Sequence, residues 1–354
     1  MLFEISCERS FGYIRMRNMW KNTDSKVLME QKREYNNSFD LVKFWCSYIV
    51  ISIHCGLRNG ITPPISQIVN LVQYMAVPIF YVISGYLLGC KLYGANKANS
   101  WHSSVKTLLW QIKLYVIWAV LFLPINLYGE FFVYKHNVCQ SVVSLLQGWF
   151  LVGENYDSWP LWYLLSSIVG MGLILFCYSL GIKKIYIVLL SIVVYAVGMV
   201  VVRLPGEGFV GSLQYMMSYI HGNRNGFFFG WAFLAVGLLG KLSIKRQYVY
   251  ALFIFLLIVG LFKPHYVRLP LAFICLQLML IHKKKGNPNV YRFLRKMSTL
   301  NYFMHMFFVF LFADLFGVIQ QDVWLFIAVA VVTTIASYCL ILGRDRFYAY
   351  KSLG

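Results

Sequence analysis

Charge is what this sequence has least of. Only 13% of its 354 residues are Asp, Glu, Lys or Arg, and acids number 13 against 32 bases. With 59% hydrophobic residues and a mean hydropathy of +0.63, that scarcity excludes a water-soluble globular domain. Paired cysteines are missing too. The eight (Cys7, Cys46, Cys55, Cys90, Cys139, Cys177, Cys275, Cys339) stand singly, with no CxxC spacing for a metal or redox pair, and read as small buried hydrophobes. A disulfide between Cys55 and Cys139, both expected on the outer side, is left open. The first 38 residues lack the apolar core and cleavage site of a secretory signal and read as a retained cytoplasmic tail. GxSxG elbows, metal-ligand clusters, nucleic-acid motifs, low-complexity linkers and internal repeats are likewise not found, so no bound metal or cofactor and no nucleic-acid partner is expected.

What is present is a series of apolar runs long enough to cross a bilayer, about 17 to 25 residues each. Ten are expected, near 39–57, 66–90, 107–128, 159–180, 183–202, 226–240, 247–263, 267–282, 299–319 and 323–342. Basic residues test the count. The N-terminal tail and alternate loops carry 24 of the 32, the opposite loops six. That asymmetry predicts an all-α polytopic membrane protein of about ten transmembrane helices with both termini cytoplasmic. The expected organisation is a polar tail (1–38), one membrane domain (39–342) and a short cytoplasmic tail (343–354). The run 131–152 is interrupted by Lys135, His136, Gln140 and Gln147, and a crossing there would reverse the charge pattern downstream, so it is expected as an interfacial or re-entrant helix. The stretch 209–225 is expected to be outer and amphipathic, either a lid or acceptor wall or an ordinary long loop.

The first run, FDLVKFWCSYIVISIH from Phe39 to His54, holds ionisable groups where a bilayer disfavours them. Eleven helical steps separate Lys43 from His54, about three turns, so both lie on nearly one face some 16 Å apart, with Asp40, Ser47 and Val50. Either this stripe is a functional site, or Asp40 and Lys43 mark the interface and His54 is a hydrogen-bonded interior histidine.

Four further stretches carry candidate chemistry. VPIFYVISGYLLG, 77–89, offers a Ser-Gly pair that lets a helix or ligand come close, placing Ser84, Gly85 and Tyr86 as donor-binding residues or as helix packing. SWPLWYL, 158–164, brings Trp159, Trp162 and Tyr163 as an interfacial belt or a sugar-stacking surface. HGNRNGFFFG, 221–230, puts Arg224 and Asn225 at the outer end of the sixth run, and MSTLNYFMH, 297–305, places His305 about two turns into the ninth from the cytoplasmic side.

Taken together, Lys43 with His54, VPIFYVISGYLLG, LWYL at 161–164, RNGFFFG at 224–230 and the LNYFMH approach to His305 resemble the acyltransferase-3 family of multi-span membrane acyltransferases. The resemblance runs in the family's order over roughly 39–342. It implies a cytoplasmic acyl-CoA donor, usually acetyl-CoA as co-substrate, and transfer to a hydroxyl of a cell-surface carbohydrate, in a cell membrane, with a bacterial plasma membrane expected. It also makes the first-helix basic residue and histidine, here Lys43 and His54, the functional pair. Lysine stands where arginine is common, losing the planar fork for bidentate recognition. Lys106 and Lys113 are the nearest cations where paired arginines are usual; with Lys91, Lys97 and Lys283 to Lys285 they either neutralise the CoA phosphates or serve as topology determinants.

The expected chemistry follows from the nucleophile. A sugar hydroxyl is protonated at neutral pH, so attack on a thioester needs a base, and a histidine, with an ordinary pKa near 6.5, suits the task. His54 is assigned that role, Lys43 steers the donor or helps the oxyanion, Ser84, Gly85, Tyr86, Lys106, Lys113 and His305 hold the donor, and Trp162, Tyr163, Arg224 and Asn225 hold the acceptor. His54 is expected in the outer half of its helix, with the Ser-Gly-Tyr segment and His305 in the inner half. The competing readings are a transporter or glycan exporter, and transfer of succinyl or to a non-sugar acceptor.

Overall fold

A computed structural model of the protein describes residues 36–94, 100–219, 226–317 and 320–351. Most of the expected N-terminal tail, together with Lys97, Arg224 and Asn225, lies outside the described residues. Among the described residues the chain is helical, with one isolated bridge between Asn155 and Asp157 in place of any strand. The helices are α1 (Ser38–His54), α2 (Ile65–Leu92), α3 (Ser100–Tyr128), α4 (Val138–Gln147), α5 (Leu161–Ser179), α6 (Lys184–Val201), α7 (Gly208–Tyr219), α8 (Phe227–Gly237), α9 (Arg246–Phe262), α10 (Pro264–Ile281), α11 (Pro288–Val309) and α12 (Val323–Lys351).

A helix occupies each of the ten expected intervals. By length and composition, seven are long and apolar enough to cross a membrane: α2, α3, α5, α6, α10, α11 and α12. α1 and α9 have 17 residues and α8 has 11. Outward faces carry large apolar side chains, such as Phe255 and Ile258 on α9 and Val331 and Ile335 on α12, as a chain surrounded by lipid requires. This is a multi-pass membrane protein.

The run 131–152 does not form a long helix. It holds only the ten residues of α4, roughly 15 Å, flanked by π-turns at Gly129–Val133 and Gly148–Val152. Asn137 and Gln140 close a reciprocal capping box that starts α4 there. The stretch 209–225 begins as α7, and residues 220–225 lie outside the description. Cys55 and Cys139 are free thiols, the first buried and the second exposed, so the disulfide left open by the sequence is not formed.

One enclosed helix and one helix pair frame the interior. α8 is enclosed by α2, α5, α6 and α10, with every residue from Phe229 to Gly237 buried. Glycine allows that approach: a Cβ on Gly85 would stand 1.9 Å from the Leu234 carbonyl oxygen, and one on Gly237 2.4 Å from that of Val82. The helix pair is α1 against α11, the most extensive helix contact in the structure. At the start of α1 the Asn36 side chain donates to the Met279 carbonyl (2.7 Å) and Ser38 Oγ donates to that of His282 (2.7 Å).

Candidate active site

α11 begins at Pro288 rather than near 299, with Asn287 accepting from the Asn289 backbone N–H at its cap. The earlier start moves His305 roughly 26 Å along the helix axis, seventeen residues in. This corrects the expectation that His305 sits in the inner half, apart from His54. The two imidazoles are neighbours, with ring centroids 5.1 Å apart and planes tilted by 40°.

His305 is completely buried, and its Nδ1 lies 3.2 Å from the Asn301 carbonyl oxygen one turn back. Its Nε2 is buried without a hydrogen-bond partner, as is Nδ1 of His54. Trp159 presents an edge-to-face contact to His54 at 5.3 Å. The loop that carries Trp159 is tied to α11, because the Tyr302 hydroxyl donates to the Pro160 carbonyl (3.3 Å). The histidines thus meet where α1, α11 and the entry to α5 converge.

Asp40, three turns and more from His54 on α1, is 1% exposed and takes both hydrogen bonds of a forked pair with Arg295 of α11, Nε to Oδ1 and Nη2 to Oδ2, each 2.9 Å. Lys43 is half-buried nearby, and its carbonyl accepts from Ser298 Oγ at 2.9 Å. The expected one-face alignment of Asp40, Lys43 and His54 therefore lies along α11. Arg295 escaped the sequence reading because it fell in a loop counted only for its charge. Its register is the signal that would have found it: Arg295, Ser298, Tyr302 and His305 recur every three or four residues and share a helix face.

The residues expected to hold the donor divide. Ser84 lines a narrow crevice of about 10 Å³ with Lys91, Thr107, Gln111, Met171 and Leu234, enough for a single water. Lys91 Nζ donates to Thr107 Oγ1 there at 2.7 Å, and Gln111 Oε1 is buried without a partner. Gly85 faces the α8 backbone, and Tyr86 packs edge-on against Phe39 at 5.6 Å. Lys106 and Lys113 point to the exposed side of α3, with Lys113 over the ring of Trp110 at 5.5 Å. The cation that reaches the crevice is Lys91.

Of the expected acceptor residues, Tyr163 packs among Phe80, Tyr81 and Tyr302, and Trp162 against Phe229, in the aromatic interior. The aromatic beside the histidines is Trp159, 47% exposed. A second feature absent from the sequence reading is a carboxyl pair. Asp157, two residues before Trp159, has its carboxyl pushed up to about 7, first by burial and then by Asp314 beyond the end of α11. Burial also raises Glu154 to about 7.

Buried polar groups are thus gathered on the α1–α11 pair, a placement that is costly in a membrane protein unless the groups are paired or used. The family model described as an acyltransferase domain matches residues 36–342, which contain both histidines, the forked ion pair and the crevice. The chain belongs to the acyltransferase-3 family. It is also similar to a serine/alanine racemase of Enterococcus gallinarum, 28% identical over 239 residues, covering 64% of this chain and 32% of that protein. An amino-acid racemase of Enterococcus faecalis is 27% identical over 223 residues, 59% of this chain and 30% of that protein. The chain thus spans about a third of the length of these curated relatives. No solved structure matches it significantly. Membership in this family establishes membrane acyltransferase character for the domain that holds His54 and His305.

Proposed function

We propose that this acyltransferase-3 protein moves an acyl group, acetyl by preference, from cytoplasmic acyl-CoA to a hydroxyl of a cell-surface polysaccharide or its lipid-linked precursor, with His54 as general base. The observation that carries the reading is the position of His54: its imidazole lies between Trp159 and the buried His305, within the matched family domain. A base there takes the proton of the attacking hydroxyl as the new C–O bond forms, and the thioester C–S bond then breaks. Lys43, on the same helix face beside the Asp40–Arg295 pair, places positive charge about three turns away, suited to steering the donor. Ser84 and Lys91 at the crevice supply a hydroxyl and a cation for the donor's arm. Trp159 offers a face for an acceptor ring.

The relatives' names support a second reading of the acceptor alone. Both are named as racemases of amino acids, so an amino-acid hydroxyl is the alternative to a sugar.

The test uses the protein in lipid nanodiscs with radiolabelled acetyl-CoA, a membrane glycan extract in one arm and serine in another. Wild type labels one acceptor, and His54→Ala loses transfer by roughly 10²–10⁴-fold while remaining folded. Equal transfer by His54→Ala would remove the base assignment. No consumption of acetyl-CoA by wild type in either arm would favour a transporter or another acyl donor.

A further inference from the structure

The two histidines differ in what surrounds their nitrogens, and the difference assigns them different tasks. His305 Nδ1 faces a backbone carbonyl oxygen, which can only accept a hydrogen bond, at 3.2 Å. The proton of a neutral His305 therefore sits on Nδ1, and its Nε2 carries a lone pair. That Nε2 is buried with no partner, and so is Nδ1 of the adjoining His54. Two orphaned ring nitrogens in neighbouring buried rings, with centroids 5.1 Å apart, each carry the cost of an unmade hydrogen bond. One arrangement satisfies both. His54 carries its proton on Nδ1 and donates it to Nε2 of His305, directly after a small ring rotation or through one water.

We propose that His305 is a positioning residue that fixes His54 as the Nδ1–H tautomer and so leaves Nε2 of His54 as the basic nitrogen. The inference rests on the reading of His54 as general base and deepens it. A chain of donors follows from it, in which His54 Nδ1–H reaches His305 Nε2 and His305 Nδ1–H reaches the Asn301 carbonyl. It resembles the part an orienting carboxylate plays behind a catalytic histidine, with a neutral ring in its place. Trp159 lies against His54 and Tyr302 is 6.4 Å from His305, while Asp40 stands at the opposite end of α1. A neutral partner avoids burying an uncompensated carboxylate when His54 is uncharged. In the reaction the acceptor hydroxyl gives its proton to His54 Nε2 as its oxygen bonds the acyl carbon. The C–S bond then breaks, and that proton passes from Nε2 to the departing CoA sulfur, so His54 returns to its starting tautomer.

The direct measurement is the ¹⁵N spectrum of histidine-labelled wild-type protein in nanodiscs, with His54 assigned by its loss in His54→Ala. The expected result is an Nδ1–H tautomer for His54 in the wild type, retained in His305→Gln, whose amide oxygen can accept in place of Nε2, and lost to a mixture in His305→Leu. Transfer should follow, with kcat down by roughly 10²-fold in His305→Leu, KM for acetyl-CoA unchanged, and His305→Gln within about tenfold of wild type. An Nε2–H tautomer for wild-type His54, or the same tautomer in His305→Leu, overturns the proposal. The wild-type spectrum needs no variant at His305 to fold and no activity, so it fails independently of the general-base reading, which falls only if His54→Ala still transfers.

Discussion

Arg295 holds Asp40 through two parallel hydrogen bonds of 2.9 Å, joining α1 to α11 across 255 positions of sequence. Both side chains are largely withdrawn from solvent, 1% exposed for Asp40 and 15% for Arg295. Breaking such a pair leaves an uncompensated charge. Asp40→Ala or Arg295→Ala should each lower unfolding stability by about 3–5 kcal/mol. Equilibrium unfolding in bicelles would measure it, and the exchanged pair Asp40→Arg with Arg295→Asp should recover part of the loss. Additive losses in the double alanine variant would show that the two do not act together.

Lys91 and Lys113 differ in where they point, and donor use should follow that difference. Lys91 reaches the crevice beside Ser84 through Thr107, whereas Lys113 lies over Trp110 on the exposed side of α3. Lys91→Ala should raise KM for acetyl-CoA by roughly tenfold, the scale of one charge-assisted hydrogen bond. Lys113→Ala should leave it unchanged. Initial rates against donor concentration decide, and equal effects would remove Lys91 from the donor path.

Trp159 and Trp162 are three residues apart and do different work. Trp162 packs into the aromatic interior against Phe229 and Tyr81, so Trp162→Ala should cost about 3 kcal/mol of stability. Trp159 is 47% exposed and touches His54, so Trp159→Ala should leave stability nearly intact and lower transfer. Melting temperature and kcat/KM for the pair of variants should move in opposite order.

The loop before α5 should respond to pH through Asp157. Asp157 has its carboxyl raised to about 7, first by burial and then by Asp314. A carboxyl raised on folding binds its proton more tightly in the folded state. Its stabilising contribution is therefore complete below the ordinary carboxylate range and is lost as pH climbs from about 4 to about 7. Thermal unfolding of the wild type should show that decline, and Asp157→Asn should flatten it. A wild-type curve that rises across the same window would contradict a carboxyl raised on folding.

Much of this architecture was legible because a bilayer imposes simple rules. Apolar runs marked the intervals of ten helices, seven of them long and apolar enough to cross a membrane, and the polar interruptions at Lys135, His136, Gln140 and Gln147 kept α4 out of that set. The 11-step spacing put Lys43 and His54 on one face, and that face does lie along α11. What the sequence hid was depth and pairing. The basic loop 283–296 looked like a boundary, yet α11 starts inside it at Pro288, which carries His305 up to His54 and swings Arg295 onto Asp40. Likewise, three aromatic residues in SWPLWYL look equivalent as letters. Only the turn at Pro160 decides that Trp159 faces the histidine while Trp162 and Tyr163 face the interior.

The enclosure of α8 has a consequence for how the chain is built. At 11 residues it measures roughly 16 Å, about half a hydrocarbon core, and its inner walls are supplied by α2, α5, α6 and α10. Three of those walls are synthesised before it and one after. Lipid cannot stand in for them, because Gly85 and Gly237 bring backbones closer than any acyl chain could. α8 is therefore seated on protein rather than on lipid along those sides, and its walls are complete only with α10 in place. A nascent chain halted between α8 and α10 would present an apolar helix with one of its four walls missing.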